Sequence, residues 1–379
     1  MSYLPSFKNR GDSLACPLNL ELDLYSGCEM GCWYCFCKDL WKIFGNDFTQ
    51  VKTGDLKKIE KDLTFAFSEK PCNQTLLMLR RGYPLKIGSK SENFQELEKE
   101  KKTTLGALKL LKQYDVPLVV ETKSNLIVEP EYFEALSYFK ELYLIESVIP
   151  NEKIRSAFEP GVPDLESRLN VLDMFRDSGV YTSVKVEPLM PGINDSDEDM
   201  KTLAESLWGR VDSISFYNYR TSNYNNARKS FAEHGYDWDE MGKKNWDEQY
   251  LYEMNNRAFK IFRRAAKLVT TADWVNNGLD NPIPVCCGVP VKKFYKYTWL
   301  NALHKIATTG SVKYSDILLD SDIVFEKDRQ MMEELWKEQS PRRFGIWDAK
   351  RVEPIGMDGN YPIFGRGKGV SVQGELDKF

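Results

Sequence analysis

The stretch Tyr25-Ser-Gly-Cys28-Glu-Met-Gly-Cys32-Trp-Tyr-Cys35-Phe-Cys37 holds four of the chain's eight cysteines within ten residues. Cys28, Cys32 and Cys35 form CxxxCxxC. That spacing lets one short loop wrap three thiolates around three irons of a cubane and leaves the fourth iron without a protein ligand. An open iron takes a chelating ligand, as open catalytic metal sites do. Gly27 and Gly31 suit a tight loop around such a cluster. A zinc site or buried free thiols are the alternatives, and zinc asks for a fourth Cys or His at comparable spacing. Cys37 qualifies by spacing, whereas the only histidines, His234 and His304, are remote.

Working outward, the loop follows Leu18-Asn-Leu-Glu-Leu-Asp-Leu24, whose alternation of apolar and polar residues reads as a strand. Further strand-like runs are Thr75–Leu79 with Pro84–Ile87, Pro117–Glu121, Leu142–Val148, Tyr181–Glu187 and Val211–Asn218. Helical periodicity predicts helices over Asp55–Phe67, Leu97–Gln113, Pro130–Lys140, Asp164–Ser178 and Asp197–Trp208. Strands alternating with helices require a parallel sheet under covering helices.

The 379 residues suffice for an extensive core, and 42% hydrophobic with 28% charged residues is ordinary globular composition. Fifty-two Lys and Arg against 56 Asp and Glu give a net charge of −4, which excludes a uniformly basic nucleic-acid coat but allows a local basic groove. No apolar run reaches the ~20 residues that span a bilayer, and residues 1–16 lack the apolar core of a secretory signal. The expectation is a cytoplasmic protein with no membrane contact, in which cysteines serve metal or redox chemistry rather than disulfides.

The chain resembles the radical S-adenosylmethionine (SAM) superfamily, and within it the spore photoproduct lyase and DNA repair photolyase-like family. The resemblance runs from about Leu18 to Asp197. It rests on the cysteine loop and then, in order, Ile87-Gly-Ser-Lys-Ser91, Glu121-Thr-Lys-Ser124, Phe158-Glu-Pro-Gly161 with Ser167-Arg-Leu169, and Glu187-Pro-Leu-Met-Pro-Gly-Ile-Asn-Asp195. It implies a partial (β/α)6 barrel over residues 18–219, preceded by an extension of 1–17 and followed by a mainly helical capping region over 220–379. It also implies a [4Fe-4S] cluster on Cys28, Cys32 and Cys35, SAM as cofactor, and an external one-electron donor such as flavodoxin or ferredoxin. The landmarks fall after successive strands, at the rim where such barrels do chemistry. A SAM carboxylate needs a cation, and Lys123 matches the family position that supplies it. Ser147 matches a family hydroxyl that contacts the same carboxylate. Ser89 and Ser91 are placed to accept from the SAM ammonium, and Glu187 ends the fifth strand at the same rim.

The chain also departs from the lyase. The lyase returns hydrogen from a cysteine after the second strand, where this chain has Gly88 or Ser89. Of two tyrosines flanking the third cluster cysteine, Tyr34 is kept and the other is Phe36, which has no hydroxyl. Dimer repair by the lyase route is therefore not expected. Tyr34 and Cys37 are the candidate catalytic residues near the cluster, Cys37 as a substitute thiol or a structural one. The vicinal Cys286-Cys287, between Pro282 and Pro290, suits neither an ordinary disulfide nor a cubane corner on its own; a pair without a functional role is the main reading, with an active-site thiol or second-cluster ligand as the alternative.

The resemblance fades from about Arg220. Phe216–Asn226 leaves the sixth strand as a loop rich in aromatic and amide groups, which either stack on bases and read their edges or pack on one another as a polar loop. A helix predicted over Asp247–Val269 puts Arg257, Lys260, Arg264 and Lys267 on one face, a candidate phosphate-backbone contact. Pro341-Arg-Arg343 and Gly365-Arg-Gly-Lys-Gly369 add basic charge, and a structural helix is expected over Asp316–Glu338. The expected substrate is a nucleic-acid pyrimidine or modified thymine base, with DNA as partner. Alternatives are a peptide or small metabolite, or a non-catalytic metal-binding protein that holds nucleic acid. Cobalamin-dependent chemistry is not expected.

Overall fold

The computed structural model describes residues 4–9, 16–43, 45–219, 224–271, 282–317, 324, 326–338 and 352–367. β1 (Lys8–Asn9) pairs antiparallel with β2 (Leu20–Leu22), and β3 (Tyr25–Ser26) with β4 (Lys52–Thr53). From β2 the main sheet continues in parallel through β5 (Leu85–Ile87), β6 (Leu118–Thr122), β7 (Leu142–Val148), β8 (Tyr181–Leu189), β9 (Ser213–Asn218) and β10 (Leu268–Thr271). Helices fill each crossover, as right-handed βαβ connections require. This is an α/β partial barrel.

Outward-facing strand residues such as Val184, Val186, Ile214 and Phe216 join the large core beneath the helices. Their alternates, Ser183, Lys185, Ser213 and Ser215, line the lumen. A mostly polar lumen beside an apolar outer face is what a barrel that works inside needs.

Three expectations change. Thr75–Leu79 is part of a helix, Gln74–Arg80, capped by the Asn73 side chain accepting from the Leu76 amide at 2.9 Å; a short apolar run fits either period. Leu97–Gln113 breaks at Lys102, whose φ of 49° ends one helix and starts the next. The buried Glu98 carboxylate explains the break, because it accepts from the Thr104 and Leu105 amides, at 2.9 and 3.0 Å, and from the Tyr25 and Tyr132 hydroxyls. The last change concerns Asp247–Val269: the helix is Glu248–Phe262, and Leu268–Thr271 pairs with Ser213–Phe216 as a seventh parallel strand. The sheet therefore extends past residue 219.

The mainly helical C-terminal region also holds a three-stranded antiparallel sheet, β11 (Ser311–Val312), β12 (Val352–Asp358) and β13 (Tyr361–Arg366), ordered β11-β13-β12. It packs with helices Trp299–Thr309 and Glu326–Lys337 around Trp299 stacked on Trp336, ring centroids 5.0 Å apart. Between sheet and subdomain, residues 283–291 return to the barrel. Val285, Cys287, Val289 and Val291 pack against Leu18, Val119, Tyr143 and Ile145 and fill the N-terminal end of the lumen.

Candidate active site at the mouth of the barrel

The cysteine loop leaves β3 at the C-terminal rim and is clamped from both sides. Gly27 has φ 102°, and a Cβ there would sit 2.6 Å from the Phe48 carbonyl oxygen. The Cys28 amide donates to that same carbonyl at 3.1 Å, and the Trp33 amide donates to the Phe158 carbonyl at 2.9 Å. Cys28, Cys32 and Cys35 pack together with Met30, Tyr34 and Val162. Burial pushes the Cys28 thiol up to about 12 and raises Cys32 as well, since a thiolate is poorly solvated there. Cys35 goes the other way, to about 7, because the Cys37 thiol hydrogen-bonds to it. Bound iron would supply the positive charge that buried thiolates lack.

Among the described residues no group of three Cys, His, Asp or Glu side chains is arranged to hold a single metal ion. A cubane takes one thiolate at each of three irons, and the three-thiol donor set of this loop fits that demand. Cys37 is 1% exposed, inside helix Phe36–Ile43 and turned toward Cys35. It does not open toward a substrate.

Lys123 follows β6 and reaches the same place. Its Nζ donates to the Tyr34 hydroxyl and pairs with Glu159, and the Tyr34 hydroxyl donates to Glu159 in turn. Glu159 is also 3.6 Å from Arg168, whose guanidinium donates to the Ser147 carbonyl at 2.6 Å. Burial alone would raise the Glu159 carboxyl, but Lys123 and Arg168 outweigh it and hold it below the usual range. Burial would likewise lower Lys123, and Glu159 with Cys32 raises it instead. Lys123 is thus a fixed cation beside the cysteines. Glu92 anchors its backbone by accepting from the Lys123 amide at 2.8 Å and the Thr122 hydroxyl at 2.9 Å.

Ser91 donates to the Tyr25 carbonyl at 2.9 Å and so ties the second strand's loop to the first. The Ser89 hydroxyl is buried without a partner among the described residues, as a group awaiting a ligand would be. Ser147 lies in register with Lys185 on the lumen face. Lys185 pairs with Glu121 at 2.9 Å and Glu187 at 2.6 Å, and Lys86 pairs with Glu121 at 2.5 Å. Glu187 therefore serves this lumen network at the rim.

Over the mouth, helices Tyr224–Glu233 and Trp238–Trp246 bring Phe231 and Trp238 onto Phe158 and Tyr219. His234 meets Trp33 edge-on, centroids 4.0 Å apart. Of the stretch Phe216–Asn226, Phe216 is still within β9 and packs under the helices, Tyr219 joins this cover, and residues 220–223 lie outside the described residues.

The four basic residues do not form one helical face. Arg257 pairs with Asp197 at 3.0 Å and Asp195 at 3.5 Å. Lys260 is exposed on the helix, while Arg264 and Lys267 lie past its end, in the turn leading into β10. That turn is at the N-terminal edge of the sheet, opposite the cysteines. Pro341-Arg-Arg343 and residues 368–369 lie outside the described residues.

Glu159 and Arg168 stand within the sequence landmarks with nothing local to assign them a role, and no sequence pattern marks Glu92. A buried Lys123 demands a carboxylate partner, and the Phe158-Glu-Pro-Gly161 landmark was the signal for it.

No protein-family model matches the chain. Uncharacterized proteins of Mycobacterium tuberculosis and Mycobacterium bovis are each 22% identical over 194 residues, 51% of this chain. The chain covers 56% of those curated relatives, little more than half their length. Among solved structures, spore photoproduct lyase complexed with dinucleoside spore photoproduct superposes with a TM-score of 0.53 at 13% identity, over 70% of this chain and 78% of that one. A tyrosine variant of the same lyase gives 0.52 at 14% identity, with the same coverage. The chain has the fold of spore photoproduct lyase. That fold is the radical SAM partial barrel, and the cysteine loop of this chain stands at its C-terminal mouth.

Proposed function

We propose that the chain is a radical SAM enzyme that abstracts hydrogen from a substrate held in the barrel. The meeting of the three-cysteine loop with the fixed cation Lys123 at the C-terminal mouth carries this reading. Cys28, Cys32 and Cys35 would hold a [4Fe-4S] cluster. Lys123 would receive the SAM carboxylate, with Ser147 and the unpartnered Ser89 as further polar contacts. When bound and reduced by one electron, this pair of cofactors supplies a 5′-deoxyadenosyl radical. The chain's own part is to orient the substrate, to keep water out beneath the aromatic cover, and to fix charge through Glu159, Arg168 and Lys185.

The proposed substrate is a nucleic-acid pyrimidine or a modified thymine base, altered by modification or rearrangement. Support comes from the likeness in fold to a lyase whose complex holds a dinucleoside, and from a lumen lined by Tyr217 and hydrogen-bonding groups. A second reading is a peptide or small metabolite. It is favoured by the position of Arg264 and Lys267, far from the mouth.

Anaerobically reconstituted, dithionite-reduced protein with SAM should form 5′-deoxyadenosine, and Cys32→Ala should abolish it. Stimulation by single- or double-stranded DNA favours the pyrimidine. Turnover indifferent to DNA favours the second reading. Zinc uptake in place of a cubane, with no deoxyadenosine, overturns the enzyme.

A further inference from the structure

Between the cysteine loop and the residues that fill its far end, the lumen carries a row of four charged side chains. Lys86 pairs with Glu121 at 2.5 Å, Glu121 with Lys185 at 2.9 Å, and Lys185 with Glu187 at 2.6 Å. Strand register puts them on the inner face. Lys86 aligns with Val119, Glu121 is two residues on from Val119, and Lys185 aligns with Ser147 and Ser215. Residues 283–291 close the end away from the mouth, where the Ser183 and Thr270 hydroxyls donate to the Cys287 and Cys286 carbonyls at 3.3 and 2.6 Å. The row is open at one end only. Its Lys86, Glu121 and Lys185 side chains are at most 11% exposed, whereas Glu187, nearest the mouth, is 34% exposed.

Two more groups face the same space. The Tyr217 ring centre lies 4.6 Å from the Lys185 ammonium, and its hydroxyl donates to the Cys286 sulfur at 3.6 Å. The Ser215 hydroxyl, beside Lys185 in the sheet, is fully buried with no partner among the described residues. A buried hydroxyl left unsatisfied marks where a ligand's polar group belongs. Charge says which kind of ligand. Buried ion pairs are often no more stabilising than apolar residues of the same volume, so stability alone does not call for this row. It balances two ammonium groups against two carboxylates. A ligand with a net charge would leave one buried group uncompensated. A ligand with one charge of each sign can enter between Lys185 and Glu187 and keep every charge paired. A neutral ring edge would need only hydroxyls such as that of Ser215.

We propose that Lys185, Glu187 and Ser215 form a receptor for an amino-acid head group on the substrate. The ligand's carboxylate takes the Lys185 ammonium and the Ser215 hydroxyl, and its ammonium takes the Glu187 carboxylate. Glu121, itself held by Lys86, keeps Lys185 in place while Glu187 changes partner. Both ends of the ligand then make charge-assisted hydrogen bonds in a site closed to bulk water on one side. This deepens the reading above and rests on it for the place of the substrate. The molecule that enters the lumen brings an adjacent ammonium and carboxylate with it. Lys123 and Ser89, the proposed SAM contacts, are not part of this receptor.

The receptor is testable by binding, without turnover. The full chain, with and without reconstituted cluster, is titrated with glycine and followed by saturation-transfer NMR. Acetate, methylamine and thymidine serve as anionic, cationic and neutral controls. Glycine should bind saturably and roughly tenfold more tightly than any of the three, as one further charge-assisted hydrogen bond provides. Glu187→Gln should lower glycine affinity to that of acetate, and Lys185→Met to that of methylamine, with circular dichroism reporting the fold. If Lys185→Met does not fold, Glu187→Gln, at the exposed end of the row, decides alone. Glycine binding should persist when SAM is added. The receptor is overturned by no saturable glycine binding, by thymidine bound in preference to glycine, by a glycine preference that survives Glu187→Gln, or by SAM displacing glycine. The radical reading fails separately: a reconstituted wild type that binds glycine as expected but forms no 5′-deoxyadenosine loses the enzyme and keeps the receptor.

Discussion

Asp23 shows how much the lumen side of the first strand costs a charged group. Burial raises its carboxyl to about 6, Glu21 adds to this, and Lys90 and Lys8 only partly offset it. A carboxyl with a raised folded-state value is a liability when ionised. The native state holds the proton more tightly than the unfolded chain does, so stability from this group is full below about pH 4 and falls as pH rises through about 6. Asp23→Asn should therefore stabilise the protein relative to wild type by about 2–3 kcal/mol at pH 7 and by almost nothing near pH 4. Urea unfolding of both proteins across that range measures the difference directly. At this scale the sequence discloses residue types well and partners poorly. The Lys123 site was legible from its landmark, yet its partner Glu159 lies 36 residues on and meets it only through the fold.

Among elements, the cysteine loop depends on its first glycine more than on its length. At Gly27 an alanine would need a left-handed backbone and would press its Cβ onto the Phe48 carbonyl. Gly27→Ala should cost on the order of 1–3 kcal/mol, and reconstituted protein should bind less iron per chain by colorimetric assay. Strand and helix alternation was readable because buried parallel strands and amphipathic helices carry distinct periods. The failures share one cause. Leu268-Val-Thr-Thr271 follows a helix whose 3.6-residue period it happens to continue, and only pairing with β9 makes it a strand. The return of residues 283–291 had a sequence signal in Val285, Cys287, Val289 and Val291, spaced by two. What that alternation faced, the inside of a barrel built from residues far upstream, no local pattern states.

For the whole molecule, the aromatic residues of the C-terminal subdomain continue the core that lies beneath the barrel helices. Trp336 stacks on Trp299, touches Phe364 and donates its indole N–H to the Pro362 carbonyl at 2.8 Å. Trp336→Ala should cost about 3–5 kcal/mol, seen by hydrogen exchange as loss of protection in the helices Trp299–Thr309 and Glu326–Lys337 and in β13 before it reaches β6 to β9. The barrel's inward hydroxyls on Tyr143, Tyr181, Ser183 and Thr270 find their carbonyl partners only in residues 286–290. A ribosome making this chain has delivered every parallel strand by residue 271 and still has not delivered what fills them. Until some twenty more residues emerge, those hydroxyls lack these partners. The final fit of the lumen is thus a late event in the life of each molecule, timed by a segment the cysteine-loop motif never mentions.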